Sequence, residues 1–329
     1  HYNDKNLIEK VIRALSLLEM LVKAGCPLVF KGGTALMLIL GKSAHRLSID
    51  IDLICPPGTN IEDYLKSFAD FGFINLELVE RKQRDDADIP KSHSKFFYQI
   101  AYRNDTDAQS YILLDVLYED IHYFRTQQIA INCPFIRLEG KPLMVTVPSA
   151  EDILGDKLTA FAPNTTGIPY YKNGRSCSME IAKQLYDVGR LFENVSDLQI
   201  TKEAFRKIAV VELSYRSFGT DIGQVFNDIR QTALCISTRG KAGEGDFDLI
   251  QDGIIRVKSF MYKQRYLIDH AIIDAARAAY LATLIEKGIN EIESYSNNPA
   301  DIKDMVIRPS LPNKLNKLRS NLPEAYYYW

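Results

Sequence analysis

The sequence predicts an α+β fold, with a mixed sheet and helices over residues 1–148 and an α-helical domain over residues 149–329. Three observations lead there. Short apolar strand-like runs alternate with helical segments in the first part. At Pro148 the pattern changes, and from there apolar residues recur mostly at helical spacing. A chain of 329 residues, 46% of them hydrophobic, is also long enough to bury two cores.

Taken in order, residues 6–24 read as an amphipathic helix, because Leu7, Val11, Leu15, Leu18 and Val22 recur every three or four positions and Gly25 stops the run. Residues 28–30 form a short strand leading into Gly32-Gly33, 34–40 a helix, and 49–54 a strand ended by Pro56-Pro57-Gly58. Residues 60–71 read as a helix with Glu62 and Asp63 complementing the dipole of its first turn. A strand over 74–79 is followed by a polar loop over 81–94. Residues 95–102 and 111–118 then read as a hairpin across Asn104-Asp105-Thr106-Asp107. Strands over 135–138 and 143–147 close the first domain. Ser149 with Asp152 resembles a capping box, and helices follow over 150–161, 178–192, 202–215, 221–237, 249–266 and 270–287.

Composition removes several function classes. Charged residues at 25% are ordinary for a globular protein and exclude a disordered or collagen-like chain. A net charge of −2 argues against a protein that wraps nucleic acid along its whole length, but not against a local patch. Acid-free windows cover 157–179 (Lys157, Lys172, Arg175), 253–268 (Arg256, Lys258, Lys263, Arg265) and 305–323 (Arg308, Lys314, Lys317, Arg319). On helices these would be phosphate-contacting stripes interleaved with Phe260, Tyr262 and Tyr266, or plain solvated faces. Tyr326-Tyr327-Tyr328-Trp329 offers rings for base stacking, or a packed tail. No apolar run approaches the about 18 residues of a membrane span, and no signal-peptide pattern opens the chain. The five cysteines are odd in number and have no C-x-x-C spacing, which argues against a zinc site or a disulfide framework. The expectation is a cytoplasmic protein with no membrane partner.

The densest chemical signal is Lys31-Gly32-Gly33-Thr34 followed by Arg46-Leu47-Ser48-Ile49-Asp50-Ile51-Asp52-Leu53. On a strand, Asp50 and Asp52 project from one side, and two like charges there call for a cation. Carboxylate oxygens suit Mg²⁺ better than zinc. The Gly-Gly-Thr turn before a helix presents backbone N–H groups to phosphate oxygens. Asp115, alone in the apolar run 111–117, is a candidate third carboxylate, since a buried Asp without a partner is costly. Either a D-x-D or a G-G-T alone is common in plain surface structure. Their succession in strand–turn–helix–strand order is the specific feature.

That succession resembles the AbiEii/AbiGii toxin family of nucleotidyltransferases, within the DNA polymerase beta-like nucleotidyltransferase superfamily. Residues 148–160 look like the family segment that carries an essential lysine, and 183–191 like its later aspartate motif. The resemblance spans about residues 28–192 and implies a nucleotidyltransferase fold for the first domain. It implies nucleotide binding by Lys31, Gly32, Gly33, Thr34, Arg46 and Ser48, with Thr34 where the superfamily has Ser. It implies metal ligation by Asp50, Asp52 and Asp115, and catalysis by Asp50, Asp52, Lys157 and Asp187. Lys157 would contact the triphosphate. Asp187 would activate the acceptor hydroxyl or position Lys157. Read from the residues alone, Lys157 is a cleft residue or a snorkelling surface lysine, and Asp187 is equally an ion-pair partner of Arg190. The loop 163–172 is a lid, an acceptor-binding loop or a plain connection.

The implied reaction takes an NTP with one or two Mg²⁺ ions, Mn²⁺ being the alternative. The nucleotide passes to an acceptor, the tRNA 3′ end, blocking translation and growth unless an antitoxin encoded nearby intervenes. Alternatives are a protein or antibiotic acceptor, or a nucleotide-binding module without turnover. Intact Asp50, Asp52, Lys157 and Asp187 speak against the last.

Overall fold

Asp4 caps the first helix, α1 (Lys5–Lys23), by accepting a hydrogen bond from Leu7 N at 3.1 Å. Its apolar face, from Leu7 through Val11, Leu15 and Leu18, is buried as the spacing predicts. The structure is a computed structural model describing residues 4–79, 91–101, 108–134, 136–216, 219 and 221–329. The chain divides into two units, residues 1–149 with 260–264, and residues 150–259 with 265–329.

In the first unit, β1 (Val29–Lys31) runs into α2 (Gly32–Leu40), and β2 (Ile51–Cys55) follows. Next come β3 (Asn75–Val79), β4 (Lys91–Gln99) and β5 (Gln109–Tyr118). These form a mixed sheet in the order β1-β2-β5-β4-β3, in which β2 and β5 are parallel and the other neighbours antiparallel. Side chains alternate across it. Phe30, Ile51, Leu53, Phe96, Tyr98, Ile112, Leu114 and Val116 are buried in the core to which α1 contributes. Asp52, Asp115 and His93 face the other way and are half-buried. A second ribbon pairs β6 (Thr126–Ala130) with β7 (Met144–Pro148).

Several expectations change here. Residues 60–71 form two 3₁₀ turns, Ile61–Tyr64 and Phe68–Phe71, not an α-helix. A helix that short is marginal in isolation, and the Asn60 side chain bonds Asp63 locally instead. The strand over 135–138 is absent in its described residues, Phe135 lying outside them. The partner of β7 is Thr126–Ala130, whose first three residues are polar and exposed, so that no alternation marks it as a strand. Strand β4 begins at Lys91, inside the expected loop. The rest of that loop, 81–90, and the turn 104–107 lie outside the described residues.

The second unit is helical: α3 (Ala150–Ala160), then a small hairpin of β8 (Tyr171–Lys172) and β9 (Arg175–Ser176). Helices α4 (Ser178–Phe192), α5 (Gln199–Tyr215), α6 (Ile222–Ser237), α7 (Phe247–Val257) and α8 (Ile268–Lys287) follow, and then α9 (Leu318–Asn321) and α10 (Pro323–Tyr328). Helix α3 packs on α4 and α5, and α8 on α4 and α6. The helix expected over 249–266 ends at Val257, with a 3₁₀ turn to Phe260. Residues 260–264 then join the first unit as an edge. Leu47 N donates to Phe260 O at 2.9 Å, Tyr262 N to His45 O at 3.1 Å, and Met261 bridges Arg46. Backbone pairing outweighs helical propensity there. Among the described residues no helix is long and apolar enough to cross a membrane.

Candidate active site

One rung of the sheet gathers four ionisable residues of the first unit. Lys31 stands in register with Asp52, Asp52 with Asp115, and Asp115 with His93, on four adjacent strands. Residues in register share a face, so Lys31 at one end and the His93 imidazole at the other flank two carboxylates. Asp115 Oδ1 is bonded by His93 Nδ1. His93 escapes sequence reading, because it lies in the stretch expected to be loop. Only the hairpin register, counted back from Asp115, could have found it.

The Gly32-Gly33 turn is fitted to this rung. Gly32 has φ +78°, a left-handed conformation natural to glycine. A Cβ there would collide with Asp52 Oδ2. A Cβ on Gly33 would stand 2.8 Å from Ser48 Oγ and 2.9 Å from Arg46 Nη2. The sequence motif is therefore one spatial cluster, with Asp52, Ser48 and Arg46 drawn up against a glycine backbone at the N-terminus of α2. Thr34 is fully buried, and its hydroxyl donates to the Asp50 carbonyl at 2.7 Å. That bond ties α2 to the segment bearing Asp50. Arg46 is buried too, and its Nη1 donates to Leu47 O at 3.3 Å.

Among the described residues, no three Asp, Glu, His or Cys side chains form a group that could hold a metal ion. Asp52 and Asp115 thus lie on neighbouring strands, with Asp50 just before β2, which begins at Ile51 rather than at residue 49, and the three close no ligand cage. Mg²⁺ ordinarily takes one or two carboxylates together with substrate phosphates and water. The Asp50–Asp52 pair beside a glycine cradle that a single Cβ would fill suits that mode.

In the second unit, Lys157 on α3 and Asp187 on α4 meet. Lys157 Nζ lies 3.1 Å from Asp187 Oδ2 and 2.9 Å from Gln184 Oε1, with side chains only 8% and 3% exposed for Lys157 and Asp187. Lys157 is no snorkelling surface lysine, and its third N–H is left for another acceptor. Arg190 pairs instead with Glu193 at 2.8 Å and with Asp274 at 3.5 Å. Asp274 is buried on α8 against Gly189, where a Cβ would collide with it, and Tyr266 Oη donates to it at 3.0 Å. Burial outweighs Arg190 and Arg277 and pushes the Asp274 carboxyl up to about 6.

The loop after α3 is clamped where it leaves the helix. Asp228 accepts from Asn164 N at 2.9 Å, Asn164 Nδ2 at 2.7 Å and Thr165 Oγ1 at 2.8 Å. The first two acid-free windows do not form helical stripes. Lys157 is buried, Arg256 faces Asp252 at 3.6 Å, and Lys263 belongs to the first unit. The terminal aromatics pack: Tyr326 and Tyr328 are buried, and Trp329 Nε1 donates to Ser237 Oγ at 3.0 Å.

Comparison with known proteins completes the picture. No curated protein matches the chain. Solved structures that resemble it include JHP933 from Helicobacter pylori, 16% identical, covering 87% of this chain and 92% of that one with a TM-score of 0.41. Another is MenT4, a nucleotidyltransferase toxin from Mycobacterium tuberculosis, 13% identical, covering 86% and 82% with a TM-score of 0.43. Residues 15–301 match the model of the family described as "Nucleotidyl transferase AbiEii toxin, Type IV TA system". A match over most of the chain, running through both the glycine–aspartate cluster and the Lys157–Asp187 pair, makes this protein a member of the AbiEii family of nucleotidyltransferase toxins.

Proposed function

We propose that this chain transfers a nucleotidyl group from an NTP to the 3′ end of tRNA, in a reaction dependent on Mg²⁺, with Mn²⁺ as the substitute ion. The new bond joins the acceptor hydroxyl oxygen to the α-phosphorus, the hydroxyl proton leaves to water, and the bond to the β-phosphate breaks to release pyrophosphate. The observation that carries this reading is the approach of Asp52, Ser48 and Arg46 to the Gly32-Gly33 backbone. Backbone N–H groups at the start of α2 suit phosphate oxygens, and Arg46 suits their charge. Asp50 and Asp52 would hold the ion, which when bound neutralises phosphate charge and lowers the pKa of a coordinated hydroxyl. Asp115, bonded by His93, is the third carboxylate and shapes the field beside Asp52. Lys157 serves the triphosphate with the N–H that Gln184 and Asp187 leave over. Asp187 acts by positioning Lys157, the role that a 3.1 Å pair supports. An antitoxin encoded nearby would restrain the activity, and a cytoplasmic site of action fits a tRNA acceptor.

The test incubates each α-labelled NTP with total tRNA and follows label and pyrophosphate, with Mg²⁺, with Mn²⁺ and with a chelator. Label should enter tRNA, map to its 3′ end, and vanish with chelator and in Asp52→Ala. Equal transfer by wild type and Asp52→Ala would sink the assignment. Label in protein or in a small molecule, with none in tRNA, would replace the acceptor.

A further inference from the structure

Four cations remote in sequence meet inside the second unit. Arg239 and Lys241 follow α6, while Lys314 and Lys317 precede α9, and together they line a cavity of about 360 Å³. One acid, Asp269, lines it as well, and Arg239 pairs with it at 2.8 Å. Lys241, Lys314 and Lys317 have no carboxylate partner among the described residues.

The scaffold under these charges is fixed. Arg239 stands at φ +53°, and the Gly240 N–H reaches back to Cys235 O at 2.8 Å to close α6. Ala242 N donates to the buried Thr238 hydroxyl at 3.0 Å, pinning the loop that carries Lys241. On the other wall, Leu315 and Leu318 are buried and seat Lys314 and Lys317. Like charges gathered round one concavity repel each other and concentrate a positive potential that an anion relieves.

We propose that this cavity holds successive backbone phosphates of a polynucleotide, as a contact of the tRNA acceptor separate from the reacting end. The proposal rests on the tRNA reading above. Among the described residues no aromatic ring lines the cavity, so its lining contacts phosphates rather than stacking on bases. Three flexible lysines suit a chain of single negative charges, positioning a strand without reading its sequence.

The experiment measures binding of labelled tRNA to the full chain by fluorescence anisotropy from low to moderate salt. Lys314→Gln with Lys317→Gln should weaken binding about tenfold at low salt and lower the slope of log affinity against log salt by about 1–2. Lys66→Gln with Lys141→Gln, the same charge change in the first unit, should leave both unaltered. Asn321→Arg, which adds a cation to the lining without removing any, should tighten binding. Inorganic tripolyphosphate, drawn by the same lysines but offering only three linked phosphates, should bind wild type far more weakly than tRNA does. Unchanged tRNA affinity in that variant would overturn the proposal. Tripolyphosphate binding to wild type as tightly as tRNA would overturn it in favour of a small-phosphate site. Label transfer with tRNA binding indifferent to these lysines removes the cavity and keeps the enzyme. Lysine-dependent tRNA binding with no transfer from any NTP keeps the cavity and removes the transfer reading.

Discussion

Lys157 and Asp187 form an ion pair of 3.1 Å almost wholly withdrawn from water. Removing one partner of a buried pair strands the other charge, at a typical cost of about 3–5 kcal/mol. Asp187→Ala should therefore lower unfolding stability by about that much, and Lys157→Met with Asp187→Leu by much less. Urea unfolding of the four-member cycle followed by circular dichroism checks this. Additive single effects would mean that the pair carries no coupling.

Gly32 offers a sharper probe of the first unit. Gly25 and Gly32 share a left-handed backbone, at φ +74° and +78°, but only at Gly32 would a Cβ strike Asp52. Gly25→Ala should cost about 1 kcal/mol of stability and leave activity intact. Gly32→Ala should in addition displace the Asp52 carboxylate and reduce nucleotidyl transfer about a hundredfold. Rates of pyrophosphate release, compared at a temperature where both variants are folded, separate the two effects.

The buried Asp274 makes stability depend on pH in an uncommon direction. Its folded-state pKa, about 6, lies above the ordinary carboxylate value of 3.8. The folded chain therefore binds this proton more tightly, and the stability gained is complete below pH ~4 and lost as pH rises through about 6. The contribution is up to about 3 kcal/mol. Asp274→Asn should flatten that segment of the stability–pH curve, measured by denaturant melts from pH 4 to 7. A wild-type slope no steeper than that of the variant would contradict it.

Asp228 gathers Asn164, Thr165 and Thr232, the last through a 3.2 Å hydroxyl bond. Asp228→Ala leaves those donors without their acceptor, which should cost about 2–4 kcal/mol. The same change should expose the segment after α3 to cleavage. Limited proteolysis mapped by mass spectrometry would locate the first cut. A first cut elsewhere, at an unchanged rate, would show that the clamp does not hold this loop.

How legible all this is in the sequence depends on how local each feature is. Helix α4 has the predicted bounds, since Ile181, Leu185, Val188 and Phe192 repeat within the helix itself. The glycine–aspartate cluster is readable because Gly32, Gly33, Ser48, Asp50 and Asp52 lie within one strand–turn–helix–strand unit. Strand β6 is not, because an edge strand of Thr126, Gln127 and Gln128 needs no apolar alternation. The alignment of His93 with Asp115 depends on hairpin register, which no property of either residue reports. The four-cation cavity joins positions whose proximity only the packing of helices decides.

The return of residues 260–264 to the first unit has a consequence in the order of synthesis. Tyr262 bonds the Ala44 carbonyl across 218 positions of chain. The segment bearing Arg46 and Leu47 thus lacks its backbone partner until the ribosome has passed Tyr262. A nascent toxin emerges with this edge of its glycine–aspartate cluster open, and gains it only when most of the chain has been translated. The same topology forbids a simple cut. A fragment ending at Ser149 carries the glycine–aspartate motif but not the segment 260–264 that borders it. Trimming this enzyme to its first unit would require grafting those five residues back.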